Sequence, residues 1–516
     1  MKNRELQAAW SYHHDTKHTY QSVRSNPHYL DWGNQPLPFK IYSDLPPFPL
    51  PEHLSSSGMA ALNAISTTEE PAGEQVPSLQ TLAEIFYLSA AITRRRTYPG
   101  GEILFRAAAC TGALYHIDLY LIAGDLPSLR AGVYHFGPQD FALRRLRAGD
   151  YRAVIARTSG SEPAVVNAPA FVICASTYWR NAWKYQSRAY RHCYWDTGTI
   201  LANLLAASAA RHIASRIVLG FVDATVSQLL ALDSAREGVI SLVALGKSFT
   251  ESENPPTMEP LALPTEPLSK GEVDYPPIRA IHEASSLENE ADVVAWREGK
   301  SSPEFFQRQS SIARDRLIPL RPLADDGIPT DTLEEVIQRR GSTRQFAREP
   351  ISFTELSTIL DRASRGIRTD VYSPQDPAVN AIYLIINAVE GLSPGTYLFH
   401  RDESALELLR QGEFRREAGH LGLGQAIPAD ASANIYFLAD LDHVLERFGN
   451  RGYRVAQLDA SVGGGKIYLA AYALGLGASG LTFFDDDVTE FFSPTSDGRS
   501  VMFLVAVGKS ARRKKI

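Results

Sequence analysis

Three short runs in this chain hold residue types that can do chemistry together. In Arg340-x-Ser342-x-Arg344, cation, hydroxyl and cation recur at every second position, at the end of a helix predicted to begin over Leu333–Ile337. Such a set can neutralise and hydrogen-bond a dianionic phosphate, and can place positive charge beside a developing anion. It equally suits a solvated arginine cluster at a helix carboxyl end, where the dipole favours cations. Lys184-Tyr185 pairs an amine with a phenol. A lysine serves as a base only where burial or a cationic neighbour lowers its pKa toward neutrality, and Arg188 and Arg191 stand close by to do so. A lysine snorkelling beside a packing tyrosine is the plainer alternative. The run Ala108-Ala109-Cys110-Thr111-Gly112-Ala113 is small enough for its backbone to approach a bound group closely, or is an ordinary buried turn. Lys509 and Arg512 follow the last strand and either close around an anion or stay in solvent. Thr482, with Phe483 and Phe484, follows the glycine-rich stretch 475–480 and either faces a bound group or packs in the core.

What must position these residues is a scaffold that occurs twice. Tyr120-Leu121-Ile122 returns as Tyr383-Leu384-Ile385, 263 positions on. At the same offset Gly132, Tyr134 and Phe136 match Gly395, Tyr397 and Phe399, and Arg188, Tyr190, Arg191 and Asp196 match Arg451, Tyr453, Arg454 and Asp459. Asp223 then faces Asp486, and after one slipped residue Gly246-Lys247-Ser248 matches Gly508-Lys509-Ser510. One register held over a hundred residues signals an internal duplication. Each copy reads as α+β. A helix with an apolar stripe (Leu82 and Ile85, or Leu356 and Ile359) precedes strands at 119–123 and 132–136, or 383–387 and 395–399. A long buried helix is predicted over 199–211 and 464–474, because those stretches are apolar nearly all round. Each copy closes on a β-rich run, 239–245 or 501–507. We read residues 1–75 as an extended arm wrapping the first copy, 76–250 as the first copy, 251–330 as a linker with a short helix near 283–297, and 331–516 as the second copy.

Composition narrows the function classes. The 516 residues carry a net charge of −6 with a pI near 6.1, so neither nucleic acid nor an anionic membrane is an expected partner. Only the tail Arg512-Arg513-Lys514-Lys515 is densely basic. Cys110, Cys174 and Cys193 share no metal-ligand spacing, so neither a disulfide framework nor a metal site is expected. The polar amino terminus shows no signal-like apolar stretch, and the longest mostly apolar run, 200–210, is far short of a membrane span. The expected location is cytoplasmic.

Four segments together resemble the nitroreductase family, and within it the SagB-type azoline dehydrogenase branch in tandem arrangement. They are Arg339-Arg340-Gly341-Ser342-Thr343-Arg344; the stretch from Phe105 through Cys110 to Tyr115; Trp183-Lys184-Tyr185 with Arg188-Ala189-Tyr190-Arg191; and Ala473-Leu474-Gly475-Leu476-Gly477-Ala478. Tyr29-Leu30-Asp31-Trp32 is similar to the arm of such tandem proteins. The resemblance implies an α+β fold of two tandem nitroreductase-like domains forming a pseudo-dimer within one chain, with FMN held where the copies meet. It implies Arg340, Ser342, Arg344, Lys509 and Arg512 as cofactor ligands from the second copy. It further implies Ala109, Cys110, Thr111 and Gly112 as the loop facing the flavin from the first copy, with Arg188 and Thr482 beside it. Lys184 and Tyr185 match the catalytic pair of azoline dehydrogenases, Lys184 as the base. The family's usual Pro-Ser in the small-residue loop is replaced here by Ala109-Cys110.

The two copies have lost opposite parts. Aligned through Ser78 and Ser352, the counterpart of 340–344 falls at Ser66-Thr67-Thr68-Glu69-Glu70, without arginine. The counterpart of the small-residue loop is Tyr372-Ser373-Pro374-Gln375-Asp376-Pro377-Ala378, and that of Lys184-Tyr185 is Arg447-Phe448. One complete site, and hence one FMN per chain, is the expectation. The expected activity is FMN-dependent dehydrogenation of an azoline or peptide-like substrate in natural-product (RiPP-type) modification, with other modification enzymes as possible partners and a further homodimer left open. An NAD(P)H-dependent nitro or quinone reductase acting on small planar molecules, and a flavin-free scaffold, are the alternatives.

Overall fold

Apolar runs such as Ile117–Ala123 and Ala170–Thr177 are buried on both faces, and the chain builds two seven-stranded sheets around them. In this computed structural model the described residues are 2–25, 28–98, 101–252, 254–298, 317–372 and 379–511. The first sheet runs Phe48–Pro49, Ala142–Ala148, Gly132–Gly137, Ile117–Ala123, Ala170–Thr177, Glu237–Leu245 and Ser215–Val218. The second runs Leu317–Pro319, Ala405–Gln411, Gly395–His400, Asn380–Ile386, Ala433–Asp440, Arg499–Gly508 and Gly477–Leu481, the same order strand for strand. Neighbouring strands are antiparallel throughout both. The fold is α+β, in tandem.

The edge strand of each sheet comes from outside the repeat visible in sequence. Phe48 pairs with Leu143, and Ile318 pairs with the matching Leu406. Each edge strand leads to a short helix, Ala61–Ser66 or Leu333–Arg339, and then to one capped by a serine hydroxyl, Leu79–Ala90 or Phe353–Ser364. Ser78 and Ser352 are those caps, each accepting from the third helical N–H. The segments ahead of the two copies are thus equivalent pieces of structure.

The copies meet along two central helices, Ala189–Ala210 and Arg451–Ala473. Glycine lets them approach: a Cβ on Gly465 would lie 2.6 Å from that of Ala202, and one on Gly198 would collide with Ser461. Both helices start some ten residues before the predicted stretches, and their extra turns are rich in Arg, Tyr and His. Those turns stay buried because their charges are matched across the interface. Arg188 and Arg191 pair with Asp485 of the second copy at 3.0 and 2.6 Å. Arg451 and Arg454 pair reciprocally with Asp223 of the first at 2.7 and 2.6 Å. The pseudo-twofold therefore relates Asp223 to Asp485, one residue before the Asp486 of the sequence register.

Two connecting segments depart from expectation. The amino-terminal segment contains helix Gln7–Asp15 and touches both copies: the Tyr12 hydroxyl donates to the Ser187 carbonyl, and Asn3 Nδ2 to that of Phe448. In place of one helix near 283–297 stand two, Pro276–Ala284 and Glu290–Glu298. Among the described residues no helix is long and apolar enough to cross a membrane, and no group of three or more His, Cys, Asp or Glu side chains is arranged to hold a metal ion.

Candidate active site

Helix Leu333–Arg339 is started by a capping box between Thr332 and Glu335 and stops at Arg340, whose backbone turns to an extended conformation. That turn aims Arg340 across the interface. Its Nε donates to the Ala107 carbonyl at 3.0 Å and its Nη2 to the Arg106 carbonyl at 3.2 Å. Its guanidinium lies 5.8 Å from the centre of the Tyr468 ring. Among the described residues no carboxylate pairs with it, and burial pushes its pKa down. A half-buried guanidinium without a paired carboxylate favours an anion beside it.

The rest of the motif runs along the edge of the second sheet. Ser342 Oγ lies 3.3 Å from the Tyr468 hydroxyl, and Thr343 N donates to the Ala478 carbonyl at 2.9 Å. Arg344 is exposed, close enough to Tyr185 for its charge to be felt there. Lys509 is brought alongside by backbone bonds between residues 345–347 and 509–511, and its ammonium is 3.9 Å from Glu349. Arg512 lies outside the described residues.

From the first copy, the loop after strand Gly101–Arg106 is fixed by one carboxylate that sequence reading did not single out. Asp196, on the central helix, accepts from Thr111 N at 2.9 Å, Thr111 Oγ1 at 2.7 Å and Cys110 Sγ at 3.0 Å, and meets His116 Nε2 at 2.9 Å. Thr199 Oγ1 donates to the Ala109 carbonyl at 2.7 Å. Burial and Asp196 push the Cys110 thiol well up, so it stays a donor. Gly112 sits at φ +64°, where an L side chain is strained, and a Cβ there would lie 2.8 Å from the Tyr185 hydroxyl. Loop and tyrosine are in van der Waals contact.

Lys184 and Tyr185 end helix Tyr178–Tyr185, both half-buried, with the ammonium 5.4 Å from the tyrosine ring centre. The Tyr185 ring meets His192 edge-on at 4.6 Å, and His192 in turn bonds Asn181 at 2.7 Å. Burial pushes the tyrosine pKa up and that of His192 down, so both are neutral.

The reading of Arg188 is corrected here. It and Arg191 were the cations expected beside Lys184, with Arg188 also a cofactor ligand. Both are instead joined to Asp485, and Arg188 Nη1 also donates to the Thr16 carbonyl at 2.5 Å. One carboxylate thus serves both guanidinium groups, and Arg188 Nε and Nη2 are buried without a hydrogen-bond partner among the described residues. Thr482 belongs to the same cluster: its hydroxyl lies 3.2 Å from Nδ1 of His18, whose pKa burial lowers to about 3. Rings join this cluster to the Lys-Tyr pair, Arg188 lying over Phe483 and Trp195, and Trp195 against His192.

The opposite interface is built differently. Thr67 takes the extended position after its helix that Arg340 takes in the other copy. This places the equivalence one residue from the sequence alignment and again leaves it without arginine. Arg368 Nη1 donates to the Glu69 carbonyl at 3.1 Å. The cavity between Thr67, Ile367, Arg368 and Lys466 measures about 20 Å³, against the several hundred typical of a cofactor site. Asp370 accepts from the amides of Leu219 and Gly220 at 2.8 and 2.9 Å, and Trp296 packs against Gly220 and Phe448. Of the loop counterpart only Tyr372 is described, bonded to Asp459; residues 373–378 lie outside the described residues.

This tandem α+β architecture is the nitroreductase fold, and residues 337–509 match the nitroreductase family. A crystal structure from Anabaena variabilis, of a protein assigned as a nitroreductase, superposes with a TM-score of 0.77 at 25% identity, covering 98% of this chain and 99% of that one. A curated relative from Methanocaldococcus jannaschii, also assigned as a nitroreductase, is 27% identical over 164 residues, 31% of this chain and 82% of the relative. The trifolitoxin operon protein TfxC of Rhizobium leguminosarum bv. trifolii is 26% identical over 185 residues, 31% of this chain and about half (51%) of that protein. The second copy carries a nitroreductase-family domain.

Proposed function

We propose that this chain is an FMN-dependent oxidoreductase with one FMN per chain, dehydrogenating an azoline or peptide-like substrate in natural-product modification. The observation that carries the reading is the reach of Arg340 from the second copy onto the carbonyls of Arg106 and Ala107, beside the loop on which Tyr185 rests. The residues fit the cofactor. Arg340 is a half-buried cation with no carboxylate paired to it among the described residues, Arg344 and Lys509 add positive charge, and Gly112 keeps the loop close against Tyr185. Arg340, Ser342 and Lys509 would hold the phosphate, Arg344 would oppose negative charge at the ring, and Ala109 to Gly112 would lie against it.

Bound FMN would supply a two-electron hydride acceptor. Converting an azoline to an azole removes one hydrogen as hydride and one as a proton. Lys184 Nζ would take that proton, and Tyr185, braced by His192, would orient the ring. The Cys110 thiol, tied to Asp196, serves the loop and not the substrate. Kinship with a trifolitoxin operon protein supports a natural-product setting. Kinship with proteins assigned as nitroreductases supports a second reading, an NAD(P)H-dependent nitro or quinone reductase, which makes no use of Lys184.

The visible spectrum and FMN-to-chain ratio of the purified protein test the first claim: a ratio near one is expected, and a colourless protein would leave only a flavin-free scaffold. Bleaching of the flavin by an azoline-bearing peptide without NAD(P)H tests the second. Bleaching by NAD(P)H alone would favour the reductase.

A further inference from the structure

The second copy holds a cavity of about 480 Å³, lined by its own residues between 363 and 499, including Ile367, Tyr372 and Asp459 of the opposite interface but none of the residues of the Arg340 site. The first copy shows what this volume is in the absence of a ligand role. There, Arg180 makes a bidentate pair with Asp118 at 3.0 and 2.8 Å, and both are buried with His135 and His116. At the equivalent positions the second copy has His443 for Arg180, Ala381 for Asp118, Leu398 for His135 and Val379 for His116. The packed ion pair is gone and the space is open. An open volume of this size forfeits the dispersion contacts of its walls, a cost that a bound molecule removes.

The walls state what that molecule is. Ile382, Leu398, Phe399 and Phe437 offer an apolar body contact. Arg401 and Arg499 line it as well. Arg401 has no ion pair or side-chain hydrogen bond among the described residues. The carboxylate of Asp459 is occupied by the Tyr372 hydroxyl at 2.5 Å and Asn380 Nδ2 at 2.7 Å, which leaves it little capacity to serve these cations. Asn380 Oδ1 is buried without a partner, an acceptor available to a donor. We propose that this cavity is a binding site, separate from the flavin interface, for a small organic carboxylate on an aromatic or otherwise apolar body, with Arg401 as its anion contact.

Titration calorimetry of the purified full-length protein with 2-naphthoate, and with the neutral 2-naphthalenemethanol, tests this. Saturable one-to-one binding of the carboxylate is expected, with the alcohol weaker by about tenfold or more, the worth of one charge-assisted bond. Arg401→Gln should lower naphthoate affinity by the same factor. Ala381→Trp, which fills the cavity, should abolish binding, and both variants should keep the wild-type FMN ratio. Absence of saturable binding up to about 1 mM would overturn the proposal. So would equal affinity for acid and alcohol, or wild-type affinity in either variant. Loss of flavin in both variants would show that the cavity is not separate from the interface site.

Discussion

Asp196→Ala removes the carboxylate that holds the small-residue loop. Four groups lose their acceptor: Thr111 N–H, the Thr111 hydroxyl, the Cys110 thiol and His116 Nε2. His116 is fully buried, whereas Thr111 is half-buried and can recover water. A buried donor left unmade costs about 1–3 kcal/mol, so His116 and the Thr111 amide together give an expected loss of roughly 3 kcal/mol once water at the loop is allowed for. At about 1.4 kcal/mol per decade this is on the order of a hundredfold in the population of the ordered loop. Urea unfolding of apo-protein should show the stability loss, and equilibrium dialysis should show weaker FMN retention. Asp196→Asn keeps one acceptor oxygen and should fall between. The outcome that refutes the reasoning is an Asp196→Ala protein within about 0.5 kcal/mol of wild type that retains its full flavin, since surface-like sites behave so. Loss of stability with undiminished flavin affinity would show that Asp196 braces the first copy without shaping the cofactor site.

Three further outcomes are expected. Arg340→Ala and Arg344→Ala should each reduce FMN occupancy, Arg340→Ala the more because it is half-buried while Arg344 is exposed, each through loss of a charge-assisted bond worth ~1.5–3 kcal/mol; dialysis against buffer followed by absorbance checks this. Lys184→Ala should keep FMN and fold, yet slow flavin reduction by substrate ~10²–10⁴-fold in stopped flow, and wild-type rates would refute its role as base. Arg451 and Arg454 hold the Asp223 carboxyl down, from 3.8 to about 2, and Arg188 and Arg191 lower Asp485 likewise. A depressed carboxyl stabilises fully above its unfolded pKa, so stability should be steady above about pH 4 and fall as the pH drops toward 2. Asp223→Asn should flatten part of that fall, and an unchanged acid limb would count against the ion pairs.

Much of this fold could be read from the sequence because duplicated strands keep their pattern. The 263-residue register caught the two strands around Tyr120 and Tyr134 and their partners. It missed the edge strands Phe48–Pro49 and Leu317–Pro319, since two or three residues hold no period. The amino-terminal halves of the central helices looked too polar to be core. Their burial depends on Asp485 and Asp223, about 300 and 230 residues from the arginines they serve, and no local pattern announces such a pairing. The same distance explains Arg188. Its nearness to Lys184 along the chain suggested a shared site, while the fold gives its charge to Asp485. Asp196 was visible as one half of a repeated pair with Asp459, but its acceptor role depends on a loop 85 residues away.

The asymmetry between the interfaces follows from how a duplicated chain can change. In a dimer of identical subunits every substitution appears at both sites, so a site cannot be surrendered without losing the other. Once the copies are fused, each interface draws phosphate-side residues from one copy and loop-side residues from the other. Arginine can then leave the first copy at Thr67 at no cost to the site built on Arg340. The vacated interface must still exclude empty space, because a void forfeits dispersion contacts. Beside Thr67, Arg368 and Lys466 line a remnant of about 20 Å³, and Asp370 and Trp296 pack against the neighbouring turn at Gly220. Burial carries the pKa of Lys466 down to about 7, and its ammonium group donates to the Arg365 carbonyl. A lysine kept in so dry a place acts as packing and as a backbone anchor. Reopening that interface would therefore take more than restoring arginine at position 67, since Asp370 already occupies the amides of Leu219 and Gly220.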